Sequence, residues 1–261
     1  MRRVTMWLVP FLALSACRPA ADKGAESRPG DTASAATPAA AGSMAIVTVL
    51  YNQPKDTAAF EKYYATRHIP LVQANQREIG FVRADLTKFS STADGKKPPF
   101  YRQAELYFKS MDDLKKGTAT AGFKKVADDL KNFATGGLTG LIATASNEHE
   151  SGSGSTPAAI VTVIYKTPKD TAAFEKYYSA SHLPLVTSSQ SEIGFQRAEL
   201  TKFDSNLDGS PPSRYRQAEL YFSSMDALKK GTATVGFKKV AGDLPKFATG
   251  GFDALIGAET K

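Results

Sequence analysis

Apolar residues along this chain follow two rhythms, one of period two and one near 3.6, and the whole alternation is run through twice. Residues 45–51 form a short β-branched run, with Ile46, Val47, Thr48 and Val49, and predict a strand. Asp56 then stands as an N-cap for a helix through Tyr64, because its carboxylate can accept from the free amides of a first turn. Phe60, Tyr63, Tyr64 and Arg67 fall at i, i+3, i+4 and i+7 and share one face of that helix. Residues 81–89 alternate, with Val82, Ala84 and Leu86 opposite Arg83, Asp85 and Thr87. A turn-rich excursion over 90–99 carries Asp94-Gly95 and Pro98-Pro99. Residues 101–108 alternate again, setting Tyr101, Gln103, Glu105 and Tyr107 on one face and Ala104, Leu106 and Phe108 on the other. A helical stretch over 111–130, broken near 117–122, and a last strand over 138–144 complete the unit.

The second pass is a copy of the first. Residues 46–145 and 160–259 align without a gap at a constant offset of 114, and 68 of the 100 aligned positions are identical. The expected organisation is therefore repeat 1 over 45–145, a linker over 146–159 and repeat 2 over 160–259. The linker is rich in Gly and Ser, contains His149 as a solvent residue, and reaches about 46 Å when extended. The order β-α-β-β-α-β is the ferredoxin-like arrangement, an α+β fold in which two helices cover one face of a four-stranded sheet. The other face needs a partner, and the second copy supplies one. The two sheets are expected face to face, or closed into one barrel, as a pseudo-dimer within a monomeric chain. A chamber between the halves would receive an imidazole from each.

Composition narrows the classes. An apolar content of 42% supports a real core, and a mean hydropathy of −0.28 speaks against a polytopic membrane protein. One cysteine leaves no material for internal disulfides or a zinc ribbon, three histidines leave little for a multi-histidine metal centre, and no metal is expected. The net charge of +7 is spread without a basic stripe interleaved with aromatics, and no nucleic-acid partner is expected. Arg2 and Arg3 followed by an apolar stretch over 4–14 read as an export signal. Leu14-Ser15-Ala16-Cys17 resembles a bacterial lipobox, which makes residues 1–17 a lipoprotein signal peptide and Cys17 the lipidated residue; the alternative is an ordinary secretory signal ending at Ala16. Acyl chains there would anchor the chain to a membrane. Arg18, in place of the Asp that often marks inner-membrane retention in such lipoproteins, points to the outer membrane on its periplasmic side. Residues 18–44, rich in Ala, Pro, Ser and Gly, would be a disordered tether spanning about 30 Å.

FEKYYATRHIPLV (60–72), its twin FEKYYSASHLPLV (174–186), the strands after Gly80 and Gly194, and DLPKFATGG (243–251) resemble the EthD family. The resemblance covers both repeats over nearly their full length. It implies a dimeric α/β barrel and membership of a superfamily that includes small cofactor-free monooxygenases, isomerases, cyclases and haem-degrading enzymes. Repeat 1 departs from the family at Lys131-Asn132-Phe133, where repeat 2 keeps the family's proline as Pro245.

His68 and His182 are the sharpest chemical candidates. Each lies four residues past Tyr64 or Tyr178, and Pro70 or Pro184 is expected to end or bend the helix beside the ring. An imidazole aimed into a cavity would serve as general base or acid; the plainer role is a partly buried histidine bonding a carbonyl at a helix end. Tyr64 and Tyr178 either line a pocket or pack in the core. Glu105 and Glu219 sit mid-strand beside Tyr107 and Tyr221, where they would either point inward to hold substrate and orient the histidine, or outward as surface charges. The superfamily also implies one alternative cofactor, a haem with His68 as axial ligand; the residues themselves ask for none. Three functions follow: a cofactor-free oxidoreductase or isomerase acting on a small apolar or aromatic molecule, a periplasmic carrier or sensor of such ligands, or an envelope scaffold.

Overall fold

The computed structural model describes residues 44–146 and 159–260. The expected signal peptide, Cys17, most of the tether and most of the linker lie outside them. The first unit consists of β1 (Ala45–Asn52), α1 (Thr57–Tyr63), a π turn (Tyr64–His68), α2 (Ile69–Ile79), β2 (Arg83–Thr92), β3 (Phe100–Phe108), α3 (Met111–Thr118), α4 (Ala121–Asp129) and β4 (Leu138–Ser146). The second repeats it as β5 (Ala159–Tyr165), α5 (Thr171–Tyr177), a π turn (Tyr178–His182), α6 (Leu183–Ile193), β6 (Arg197–Asn206), β7 (Arg216–Phe222), α7 (Met225–Ala233), α8 (Val235–Asp243) and β8 (Phe252–Glu259).

The strands hydrogen-bond in the order β1-β3-β2-β8-β5-β7-β6-β4, and β4 returns to β1. Two of these pairings join the repeats: β2 lies antiparallel to β8, and β4 antiparallel to β6. Each sheet's outer edges are thus satisfied by the other repeat, which removes the exposed donors and acceptors an open sheet would present. The expected pair of βαββαβ repeats is present, and it closes by edge pairing into one barrel of eight strands.

Alternation along the strands separates two kinds of core. Ile46 and Leu50 point into the barrel with Phe89, Phe100, Leu141, Ile164, Phe203 and Leu255, so that both repeats fill one interior. Val47, by contrast, packs outward with Ile79, Leu114 and Val126 under the helices. The alternation breaks where the two repeats pair, at Phe89–Ser91 and opposite Ile142–Ala143, and at the start of β3, where a bulge opposite Tyr51 and Asn52 shifts the register. Tyr101 consequently sits on the helix side, edge-on to Phe60 at 5.2 Å, and its hydroxyl donates to Glu61 at 2.6 Å. The simple alternation had placed it with Gln103.

The barrel interior carries a polar layer at its centre. Glu105 and Glu219 are each 1% exposed. Gln217 Nε2 donates to Glu105 at 3.0 Å, and Gln103 Nε2 donates to Glu219 at 3.1 Å, so each repeat supplies the amide that holds the other's carboxyl. Thr48 and Tyr107 donate to Glu105, and Thr162 and Tyr221 to Glu219. Burial and neighbouring carboxylates push both acids up, Glu219 to about 7. The side-chain oxygens of Gln103 and Gln217 are buried with no hydrogen-bond partner among the described residues. A protonated carboxyl is a donor, the kind of group those oxygens lack.

Both acids bind protons more readily in the fold than in the unfolded chain. Their contribution is therefore complete below the ordinary carboxylate pKa and is lost as pH rises through the folded values, about 7 for Glu219. Urea unfolding of the parent should show stability falling from about pH 5 to about pH 8, by up to about 1.4 kcal/mol per pH unit for each proton released. Glu105→Gln combined with Glu219→Gln should flatten that decline; an equally steep decline in the double variant would assign it to other groups.

Candidate functional site

The histidine-bearing segment begins at a cap and survives a proline. Asp56 Oδ1 accepts from the Ala59 amide at 3.0 Å, starting α1. The helical course continues through the π turn and α2 to Gly80, which ends it at φ +83°, a conformation open to glycine. Pro70 therefore does not end the helix. It lacks the amide that would bond four residues back, and its ring would crowd the carbonyl there. The wider turn ahead of it absorbs this, with the Ile69 amide bonding Tyr64 O five residues earlier.

Tyr64 and His68 emerge from this turn stacked, their ring centroids 5.7 Å apart. His68 Nδ1 lies 2.9 Å from Asp129 Oδ2 at the end of α4. A carboxylate only accepts, so Nδ1 carries the proton and Nε2 keeps the lone pair. Asp129 Oδ1 also accepts from Tyr63 OH at 2.7 Å and Asn132 Nδ2 at 2.9 Å. Burial lowers the His68 pKa, with Asp129 partly opposing it, and the ring is neutral at pH 7. Burial alone would raise Asp129, but the bonds from His68, Tyr63 and Asn132 outweigh it and hold the carboxyl below its usual range. The second repeat rebuilds the arrangement: His182 Nδ1 lies 2.9 Å from Asp243 Oδ2, and Tyr177 OH donates to Asp243 Oδ1 at 2.9 Å. Lys246 takes the place of Asn132 and lies 3.1 Å from Asp243.

Each histidine borders a cavity between the helices and the outer face of the sheet. The first, about 360 Å³, is walled by Tyr64, His68, Val72, Leu86, Leu106 and Phe123. The second, about 220 Å³, is walled by the matching Tyr178, His182, Val186, Leu200, Leu220 and Phe237. Tyr64 OH is buried without a hydrogen-bond partner among the described residues, and burial raises its pKa, so it stays protonated. The Arg102 guanidinium lies 4.8 Å above the Tyr64 ring, and its charge is matched by Glu61 at 2.7 Å. Each cavity also borrows a wall from the other repeat. Leu207 lines the first and Ala93 the second, each held by its amide on the strand it crosses, at Gly140 O and Ala254 O.

The predicted site residues separate into two places. His68 with Tyr64, and His182 with Tyr178, share cavities. Glu105, Glu219, Tyr107 and Tyr221 point to the opposite side of the sheet, into the barrel, and reach neither histidine. The imidazoles accordingly lie outside the barrel rather than in a chamber between the repeats, because the barrel interior is filled with side chains. Asp129 and Asp243 were not singled out by sequence reasoning. The signal available was an Asp-Leu pair ahead of Phe133 and Phe247, with Tyr63 and Tyr177, the first tyrosine of each pair, facing it. Among the described residues no group of three or more His, Cys, Asp or Glu is arranged to hold a metal ion.

A family model described as the EthD domain matches twice, over residues 52–137 and 166–251. An 11.0 kDa protein from the thcB–thcC intergenic region of Rhodococcus erythropolis is 38% identical over 95 residues, 36% of this chain and 88% of that protein. The crystal structure of an EthD family protein from Bacillus halodurans is 28% identical, with a TM-score of 0.35, covering 38% of this chain and 95% of that one. An anthrone oxidase-like protein of known structure is 13% identical with a TM-score of 0.52, covering 84% of this chain and 92% of its own, and shares the fold.

Asp129 is the group that raises the basicity of His68 against burial. Asp129→Asn should move the His68 titration, followed by NMR of the ring protons, further down and leave His182 in place. An unchanged or raised His68 titration would show that the carboxylate does not act on the ring.

Proposed function

The chain belongs to the EthD family, and on that footing we propose that each repeat is a small-molecule site whose neutral histidine removes a proton from an apolar or aromatic substrate. What carries this reading is the pairing of His68 with Tyr64: a base and an unpartnered phenolic donor on the wall of a cavity lined mainly by apolar side chains. With Nδ1 tied to Asp129, Nε2 is the nitrogen left to meet a ligand. It would take a proton from carbon adjacent to or conjugated with a carbonyl, while Tyr64 OH donates to the oxygen where charge gathers. Asp129, already an anion, would stabilise the imidazolium that forms. Returning the proton to another carbon is isomerisation; reaction of the carbanion with dissolved dioxygen is oxidation.

Apolar cavities of about 150 Å³ hold a single benzene ring, so about 360 Å³ admits a larger aromatic body. No cofactor belongs to this proposal, and a haem in particular is ill suited. Among the described residues the only guanidinium or ammonium side chain lining the first cavity is that of Arg83, and it is committed to Glu199 and Asp85 inside the barrel, which leaves none of them to bind propionates. The carrier reading draws its support from the second cavity, whose lining is apolar apart from Tyr165, Tyr178 and His182. Export and acylation at Cys17 remain part of the proposal, placing the sites at the cell envelope in contact with a membrane on the periplasmic side.

Anthrone, an aromatic ketone with an acidic C–H, is a suitable probe. The parent should accelerate exchange of that hydrogen in deuterium oxide, read by NMR. His68→Ala with His182→Ala should slow exchange by about a hundredfold or more, while calorimetric affinity for anthrone stays within about threefold. Exchange no faster than with free imidazole at equal concentration would reject the enzyme; unchanged binding beside it would leave the carrier.

A further inference from the structure

The two cavities descend from one plan and have diverged at their mouths. Their bodies match position for position, yet the liners differ in access. Ile69, Val72, Ala84, Leu86 and Leu130 are partly or fully exposed in the first repeat, whereas Leu183, Val186, Ala198, Leu200 and Leu244 are all buried in the second. The first cavity also extends past the common body, between α2 and the start of β2, to Gln73, Gln76 and Thr260. None of their counterparts lines the second cavity, which extends instead toward Val161, Phe252 and Ala254.

Of these rim side chains Thr260 is bonded to Arg102 and Leu86 O, while the two glutamines are available to a ligand. Gln73 is exposed and makes no hydrogen bond among the described residues. Gln76 makes only a long bond, 3.4 Å, to Phe81 O. At the position of Gln73 the second repeat has Thr187, whose hydroxyl is turned back onto Leu183 O at 3.0 Å. An amide at the mouth of an apolar cavity can both donate to and accept from an uncharged polar group; a hydroxyl spent on its own helix cannot.

We infer that the duplicated sites take different ligands: the first an amphipathic molecule, with an aromatic body in the cavity and an uncharged hydroxyl or carbonyl tail held at the mouth by Gln73 and Gln76, the second a smaller, wholly apolar one. The inference rests on the reading of the cavities as small-molecule sites and adds which class each selects. It makes Gln73 a specificity determinant at a distance from the histidine.

Two fluorinated probes separate the cases by fluorine NMR on the full chain: 4-fluorophenethyl alcohol, with a hydroxyl tail, and 4-fluorotoluene, without one. Ala104→Phe should fill the first cavity and Ala218→Phe the second. Binding of the alcohol should be lost in Ala104→Phe and retained in Ala218→Phe, and that of 4-fluorotoluene retained in Ala104→Phe. Gln73→Leu, at an exposed position that does not endanger folding, should weaken the alcohol about five- to tenfold and leave 4-fluorotoluene within twofold. If the filling variants do not fold, that ratio alone decides. An alcohol affinity unmoved by Gln73→Leu, or lost equally in both filling variants, overturns the inference while the cavities stand as ligand sites. Failure of both probes to bind the parent at millimolar concentration overturns the inference and the reading beneath it.

Discussion

An isolated βαββαβ sheet has two unsatisfied edges and one uncovered face, and this chain answers both needs with a single device, antiparallel pairing between repeats. β2 against β8 and β4 against β6 turn two open sheets into a closed one. Closure then dictates the rest. The inward faces meet in a space too narrow to stay empty, so they fill with aromatic and aliphatic side chains and one hydrogen-bonded polar layer. The two histidine cavities lie on the outer faces, beneath the helices.

The outer sites depend on an irregular helix. A continuous α-helix through Pro70 would ask for a hydrogen bond the proline cannot give, and the π turn from Tyr64 to His68 removes the conflict while keeping both rings on one face. Asp129, 61 residues further on, meets His68 because α4 packs against α2. The same turn and the same carboxylate recur around His182, so this arrangement is a property of the repeat itself. What varies is the surrounding rim and the ion pair from Lys246, features that can change without disturbing the packed interior.

Much of this was legible in the residues. The repeat, the element order and the mutual covering of the two sheets follow from hydrophobic period and copy number, because each unit's periodic faces must be covered by something of matching size; closure into a barrel rather than face-to-face packing came from the family resemblance. Local chemistry was equally readable at Asp56 and at the Tyr64–His68 spacing. Long-range partnership was not. Nothing in the strand of Glu105 says which side of a closed sheet it faces relative to a histidine on a helix, and the bulge that turns Tyr101 outward has no local signature. Asp129 is one of two adjacent aspartates in the sequence, and α4 carries it to the imidazole. The exchange of amides between Gln103 with Glu219 and Gln217 with Glu105 joins residues more than a hundred positions apart, and only closure brings them together.

Leu207 and Ala93 occupy equivalent positions in the two repeats, and each forms part of the opposite repeat's cavity. Gly140 leaves the space in which the Leu207 side chain rests, its missing β-carbon lying 3.1 Å from that leucine's own; Ala254 stands at the same place opposite Ala93. Heredity and ownership are therefore crossed in this molecule. A recombination event that made the two coding segments identical would not merely turn one pocket into the other. It would hand each pocket a lid residue chosen for its sibling, setting a leucine over Ala254 or an alanine over Gly140, so the divergence of the two halves is protected by their entanglement.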